Sequence, residues 1–239
     1  SGAWCSGPED VSPPEYFWGY NRMMTIEGLF GAGDAVGGTP HAFSSGSFTE
    51  GRLSAKAACR YIDDGKGEGI VVSDKRINEL KEKIYKPMEH YKIYRNEVVA
   101  GDVNPNYINP RQGLDRLQKL MDEYCGGATV SYMTNEKLLS IGLKKLKVME
   151  EDLEKLAASD FHELLRAWEL MHRHRTAECV TQHTMFRKET RWPGYYYRGD
   201  AMKLDDENWH VLTVSRRDPD TGEYTMEKAP VYHLVKDGE

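Results

Sequence analysis

Between Gly28 and Arg52 the chain reads GLFGAGDAVGGTPHAFSSGSFTEGR, an apolar strand-like stretch that runs into a glycine-rich turn and then into the start of a helix. Gly31, Gly33, Gly37 and Gly38 remove side chains where another backbone or a ligand must come close, and Asp34 places an acceptor at the end of the apolar stretch. Ser45 to Ser47 offer N-cap hydroxyls ahead of Phe48, Leu53, Ala57 and Tyr61, which recur at roughly helical spacing. A helix that begins there exposes unpaired N–H groups at its positive end and can hold an anion, which points to a nucleotide cofactor. A tight turn between two packed elements would use the same glycines, so the turn alone leaves both readings open.

Composition narrows the field. The 239 residues are 39% hydrophobic, enough for one large core or two modest ones. A net charge of -6, with 32 basic residues spread along the chain, argues against nucleic acid or an anionic membrane as the main partner. No apolar run is long enough to span a bilayer, and the start SGAWCSGPED has no basic region followed by an apolar core. Cys5, Cys59, Cys125 and Cys179 stand far apart with no CxxC-type spacing, so they are expected to be reduced thiols of a cytoplasmic protein.

Three regions follow from the pattern of residues. Residues 1–72 hold the glycine turn and its helix, ended by Asp63, Asp64, Gly65 and Gly67, with a strand or extended connector at 69–72. Helical signals dominate residues 73–187. Ile77, Leu80, Ile84, Met88 and Tyr91 repeat every three or four, with Pro87 expected to kink or restart that helix. Asn109 and Pro110 form a cap and first-turn pair before Leu114, Leu117 and Met121, and Gly126 closes the helix. A third stripe runs from Leu138 to Leu156, and Asp160 with Glu163 predicts a capping box for a fourth helix bearing Leu164, Trp168 and Met171. Residues 188–239 mix aromatics, β-branched runs and the turn Asp218-Pro219-Asp220-Thr221-Gly222, which predicts a small antiparallel hairpin or an extended arm.

The wording of the turn resembles the last flavin-binding segment of the succinate dehydrogenase and fumarate reductase flavoprotein family, usually G-L-Y-A-A-G-E followed by G-G and a short stretch ending in a glycine pair. A second collinear stretch, Arg187-Lys188-Glu189-Thr190-Arg191, Tyr197-Arg198 and Asp205-Asp206-Glu207-Asn208-Trp209, is similar to the E-S-R-G-A-H-x-R and D-D-x-x-W pattern that ends the family's helical domain. GGTPHAFSSGS together with ETRWPGYYYRGD is most similar to the dissimilatory adenylylsulfate reductase branch. The resemblance implies an α+β fold: the C-terminal part of an FAD-binding α/β domain, a helical bundle domain, and a short β or extended C-terminal arm. The family opens with a GxGxxG turn for the ADP part of FAD, which is absent here, so the chain is expected to be a C-terminal portion with the main catalytic arginine and histidine upstream.

What the resemblance implies for residues is specific. Gly33, Asp34, Ser44, Ser45, Gly46, Ser47 and Phe48 become cofactor-binding candidates, Asp34 toward the ribityl or phosphate part of FAD and the helix start toward the pyrimidine end of the isoalloxazine. Carboxylate-handling members carry an arginine where Ser44 stands, so the guanidinium that would grip a dicarboxylate is missing. Phe43 and His41 become substrate-lining candidates, Phe43 as a wall for a nucleobase. The implied reaction takes adenosine 5'-phosphosulfate to AMP and sulfite, or the reverse, through a covalent flavin–sulfite adduct. An iron-sulfur, ferredoxin-like beta subunit in a heterodimer supplies the electrons, since the four cysteines here could not ligate its clusters. Another fumarate reductase-type flavoprotein, or a non-catalytic docking module, remains an alternative.

Other groups carry bland expectations. His172-Arg173-His174-Arg175 predicts a solvated basic face, because H-x-H on a helix separates the two rings by about 200 degrees. Tyr195, Tyr196 and Tyr197 cannot all face one way in extended chain and are expected to pack. Arg191 and Arg198 are expected to pair with Asp205 or Asp206 in a structural network.

Overall fold

The computed structural model describes residues 2–37, 44–100 and 103–233. They fall into two compact units, residues 1–72 with 232–239, and residues 73–231.

In the first unit the segment before the glycine turn is a lattice of single bridges rather than a strand. Met23 pairs with Phe30, Cys5 with Met24 and Ala3 with Val36. Gly28 turns this chain back at φ 77°. Met23 and Val36 are its buried apolar residues, and a one-turn 3-10 segment at Gly33–Ala35 leads on toward α1, Ser44–Asp63. The face that α1 buries carries Glu50, Ser54 and Ala57. Phe48, at the head of the helical series with Leu53, Ala57 and Tyr61, is 81% exposed. Because α1 starts at Ser44, Ser45 to Ser47 lie in its first turn rather than capping it.

The second unit is a helical bundle with two small β pairs. Its helices are α2 (Asp74–Tyr94), α3 (Pro110–Tyr124), α4 (Glu136–Leu153), α5 (Phe161–Phe186) and the single turn α6 (Asp206–Trp209). Each of the first four starts where a side-chain acceptor meets an orphan amide. Ser73 accepts from Arg76, Asn109 from Gln112, Asn135 from Leu138 and Asp160 from Glu163. The Asn109 cap is a full capping box, while Glu163 turns back to Ser159 rather than to Asp160. Pro87 lies inside an unbroken α2, where its carbonyl accepts from Ala158.

The core forms where α3, α4 and α5 meet, around Leu117, Leu120, Leu146, Met149, Leu156, Ala167 and Leu170. Gly113 lets α3 come close to α5, since a Cβ there would stand 2.4 Å from Leu170 Cδ2. Short strands β1 (Met133–Thr134) and β2 (Tyr197–Arg198) pair in parallel. β3 (Val211–Arg217) and β4 (Tyr224–Pro230) form an antiparallel hairpin with Val214 opposite Glu227. Its turn is held by Asp218 Oδ1, which accepts from the Asp220 and Thr221 amides, and by Gly222 at φ 75°. The hairpin is tied to α5 by His183, whose ring nitrogens lie 3.1 Å from Thr213 Oγ1 and 2.9 Å from Ser215 Oγ.

Charged residues of the second signature close the ends of helices. Arg198 is 1% exposed and donates to the Arg187 and Met185 carbonyls at 2.8 and 3.3 Å, and to that of Thr184, so it satisfies the C-terminal end of α5. Its other nitrogens grip Asp200 at 2.9 and 3.0 Å, and Asp200 in turn accepts from the first amide of α4 at Glu136. One ion pair therefore joins the negative end of one helix to the positive end of another. The expected partners Asp205 and Asp206 are not those of Arg198. Asp205 caps α6, and Asp206 pairs with Arg191 at 2.9 Å. Glu189, buried between Arg187 and Arg191, also accepts from the Asp205 amide. Burial alone would raise its carboxyl, yet the Arg191, Asp205 and Arg187 hydrogen bonds hold it below the usual range.

The histidine-arginine run is not a solvated face throughout. His174 is 1% exposed and bonds the Leu146 carbonyl at 2.8 Å, whereas His172 on the opposite side is exposed. Of the tyrosines, Tyr195 is 80% exposed, while Tyr196 is half-buried against Gly126.

Arg198 hydrogen bonds hold the Asp200 carboxyl down at about 2, from an ordinary 3.8. A carboxyl depressed on folding contributes stability that is complete above its unfolded value and fades as pH falls through the folded one. Acid titration of unfolding should accordingly show a loss between about pH 4 and 2. In Arg198→Met that component should vanish and stability at neutral pH should drop by about 3–5 kcal/mol, read from urea midpoints.

Candidate functional site

The glycine turn and the start of α1 lie against one another. Gly33 has φ 65°, a conformation open to glycine at little cost, and a Cβ there would stand 3.3 Å from Ser47 Oγ. Gly31 is tighter still, its would-be Cβ 2.4 Å from both Met24 Cε and Val36 Cγ1. The chain thus reverses beside the first turn of α1 because two positions carry no side chain.

The helix tip suits an anion. Ser44, Ser45, Ser47 and Phe48 are exposed and Gly46 is half-buried, and the first-turn amides of α1 have no partner within the helix. No acidic residue stands in that turn. Thr49 directs its hydroxyl back to the Ser45 carbonyl at 2.9 Å. Asp34 is exposed in the 3-10 turn next to Gly33. His41 and Phe43 lie outside the described residues. An uncharged first turn at the positive end of a helix is able to hold an anionic group.

An ion pair behind the tip was not legible in the sequence. Arg22 and Glu50 are separated by 28 positions, and they meet only because the 22–31 segment folds onto α1, with Nη2 2.7 Å from Oε1. No local motif announces such a contact.

A cavity of about 490 Å³ lies elsewhere in the same unit, lined by Trp18, Tyr20, Met24, Glu27, Arg60 and Asp64. Arg60 and Asp64 follow Ser44 by more than four helical turns, roughly 25 Å along the axis, so the cavity is not the anion-holding tip. Tyr20 closes part of it by donating to Asp64 at 2.8 Å. Shape favours the cavity, whereas the first-turn amides of α1, which have no partner within the helix, favour the tip as an anion site. All four cysteines are free, and among the described residues no cluster of His, Cys, Asp or Glu could hold a metal ion. No helix among them is long and apolar enough to cross a membrane.

Replacement of Gly33 by alanine should cost about 1–2 kcal/mol from the left-handed backbone alone. Thermal melting would register the loss, and an unchanged melting temperature would show that the turn relaxes freely.

The adenylylsulfate reductase subunit alpha of Megalodesulfovibrio gigas is 41% identical over 244 aligned positions, covering 98% of this chain and 36% of that protein. The structure of adenylylsulfate reductase from Archaeoglobus fulgidus superposes with a TM-score of 0.93 at 52% identity, over 98% of this chain and 37% of that one. A structure of adenosine-5-phosphosulfate reductase in complex with sulfite, as a covalent adduct, superposes with a TM-score of 0.92 at 52% identity, over 98% and 37% of the two chains. The chain spans just over a third of the length of these relatives. Residues 114–235, about half of the chain, match the family profile described as fumarate reductase flavoprotein C-term. The α+β architecture is therefore that of the C-terminal part of such flavoprotein subunits, and the chain belongs to the fumarate reductase flavoprotein family.

Proposed function

We propose that this chain is part of the flavoprotein (alpha) subunit of a dissimilatory adenylylsulfate reductase. Two electrons enter, the bond between the sulfate sulfur and the phosphate oxygen breaks, and AMP and sulfite leave; the reverse oxidises sulfite. The observation that carries the reading is the likeness to such a reductase at 52% identity across 98% of the chain. Ser44 adds to it, because a fumarate reductase site would want an arginine there.

In this reading FAD, when bound, supplies the two-electron chemistry. The chain's own residues bind and orient. Backbone amides from Ser44 to Phe48 meet negative charge at the pyrimidine end of the ring, Gly33 lets the chain pass close by, and Asp34 accepts from the ribityl or phosphate part. Phe43 walls the adenine, and His41 stands at the substrate mouth. Residues 1–72 act as the last segment of the FAD-binding domain, 73–187 as the helical domain and 188–239 as the C-terminal arm. An iron-sulfur beta subunit delivers electrons in the cytoplasm, since none of the four cysteines here has cluster spacing.

The test is optical and kinetic. The flavin-loaded protein should be yellow and should bleach on addition of sulfite. Phe43→Ala should raise the KM for adenosine 5'-phosphosulfate about tenfold or more, a loss of stacking worth roughly 1–3 kcal/mol, with flavin content unchanged. A complete subunit that is colourless though well folded, or one that reduces fumarate and ignores the sulfonucleotide, would overturn the assignment, whereas this portion alone should carry little colour.

A further inference from the structure

Arg22 is a left-handed residue that is not glycine, at φ 65°. Such a conformation survives only where the surroundings hold it, and here they do. Its amide donates to the Ser6 carbonyl at 2.9 Å, and its own carbonyl accepts from Gly31 at 3.0 Å. The side chain crosses to α1, where Nη2 donates to Glu50 Oε1 at 2.7 Å while Nε pairs with Oε2. Both partners are largely withdrawn from water, with side chains 18% and 8% exposed. The Cys5 thiol beside the pair is pushed up by burial and so adds no charge.

Glu50 is the first acidic residue of α1, after six uncharged positions from Ser44 to Thr49. It lies roughly 6 Å behind Gly46 along the helix axis. A bare carboxylate there would oppose negative charge held at the tip, and its field would act through protein rather than through water. The guanidinium of Arg22 cancels that field.

We propose that Arg22 and Glu50 are positioning residues for the flavin: Arg22 neutralises the buried carboxylate that α1 carries just behind its first turn, so that the amide end keeps its positive potential. The inference rests on the flavin reading given above. Neither side chain needs to touch the cofactor, because the effect acts through charge.

The experiment measures sulfite affinity, by bleaching of the flavin, and the flavin reduction potential in the flavin-loaded protein. Arg22→Gln leaves Glu50 bare and should weaken sulfite binding on the order of tenfold, as one charge about 10 Å away does at an effective dielectric constant near 20. The potential should fall with it. Glu50→Gln leaves Arg22 bare and should move both quantities the other way. The double variant should return toward the parent protein. A pair that only braces the fold would instead make both single variants weaker together, and that result, or no shift in either, overturns the proposal. Should Arg22→Gln fail to fold, Glu50→Gln decides alone: tighter sulfite binding supports the proposal, and unchanged or weaker binding sinks it. A complete parent subunit that takes up no flavin would instead overturn the functional reading itself.

Discussion

At Gly33 a hydrogen atom stands where any other residue would place a carbon, and the first turn of α1 lies against it at Ser47. The rest of the first unit is arranged around that close approach. Bridges among residues 3, 5, 23, 24, 30 and 36 bring the chain to the turn, and Arg22 reaches across to Glu50 to hold the helix in place. What emerges is a helix start with an uncharged first turn whose residues are mostly exposed. Those are the conditions under which a macrodipole acts on a ligand instead of being spent inside the protein.

The second unit uses charge for a different purpose. Its basic and acidic residues from Arg187 to Asp206 read in the sequence as a structural ion-pair network, and the structure places that network at helix ends. Arg198 satisfies the last carbonyls of α5, Asp200 the first amide of α4, and Glu189 is wedged between Arg187 and Arg191. A buried arginine with all its partners in place is a brace, because a charge without water must be fully hydrogen-bonded to be tolerated. The resemblance in this stretch therefore reports on how the bundle is closed rather than on where the chemistry occurs.

Much of the fold was legible before any coordinates. The starts of α3 and α5 follow from Asn109-Pro110 and Asp160, and the end of α3 from Gly126, since capping is chemistry between residues three or four apart. The family, too, was legible from residues 28–52 with 187–209, and the likeness to adenylylsulfate reductases over nearly the whole chain agrees with it. Burial was read less well. The helical spacing of Phe48, Leu53, Ala57 and Tyr61 does not mark the buried face, since α1 turns Glu50, Ser54 and Ala57 inward and leaves Phe48 exposed. His174 was taken for surface because it lies in a charged run, and it is buried on a backbone carbonyl of α4. In both cases helical periodicity told which residues share a face, but not which face meets a neighbour.

By itself, the amino-acid order determined the local events: where glycines permit a left-handed turn, where an asparagine or aspartate opens a helix, and where Asp218 and Gly222 reverse the hairpin. Each depends on atoms within a few residues of one another. Only the tertiary structure decided that Arg22 would meet Glu50 and that Arg198 would choose Asp200 over the acidic residues downstream. Those outcomes turn on which distant segments desolvate one another, and the energy of a charge depends on that environment far more than on its neighbours in the chain.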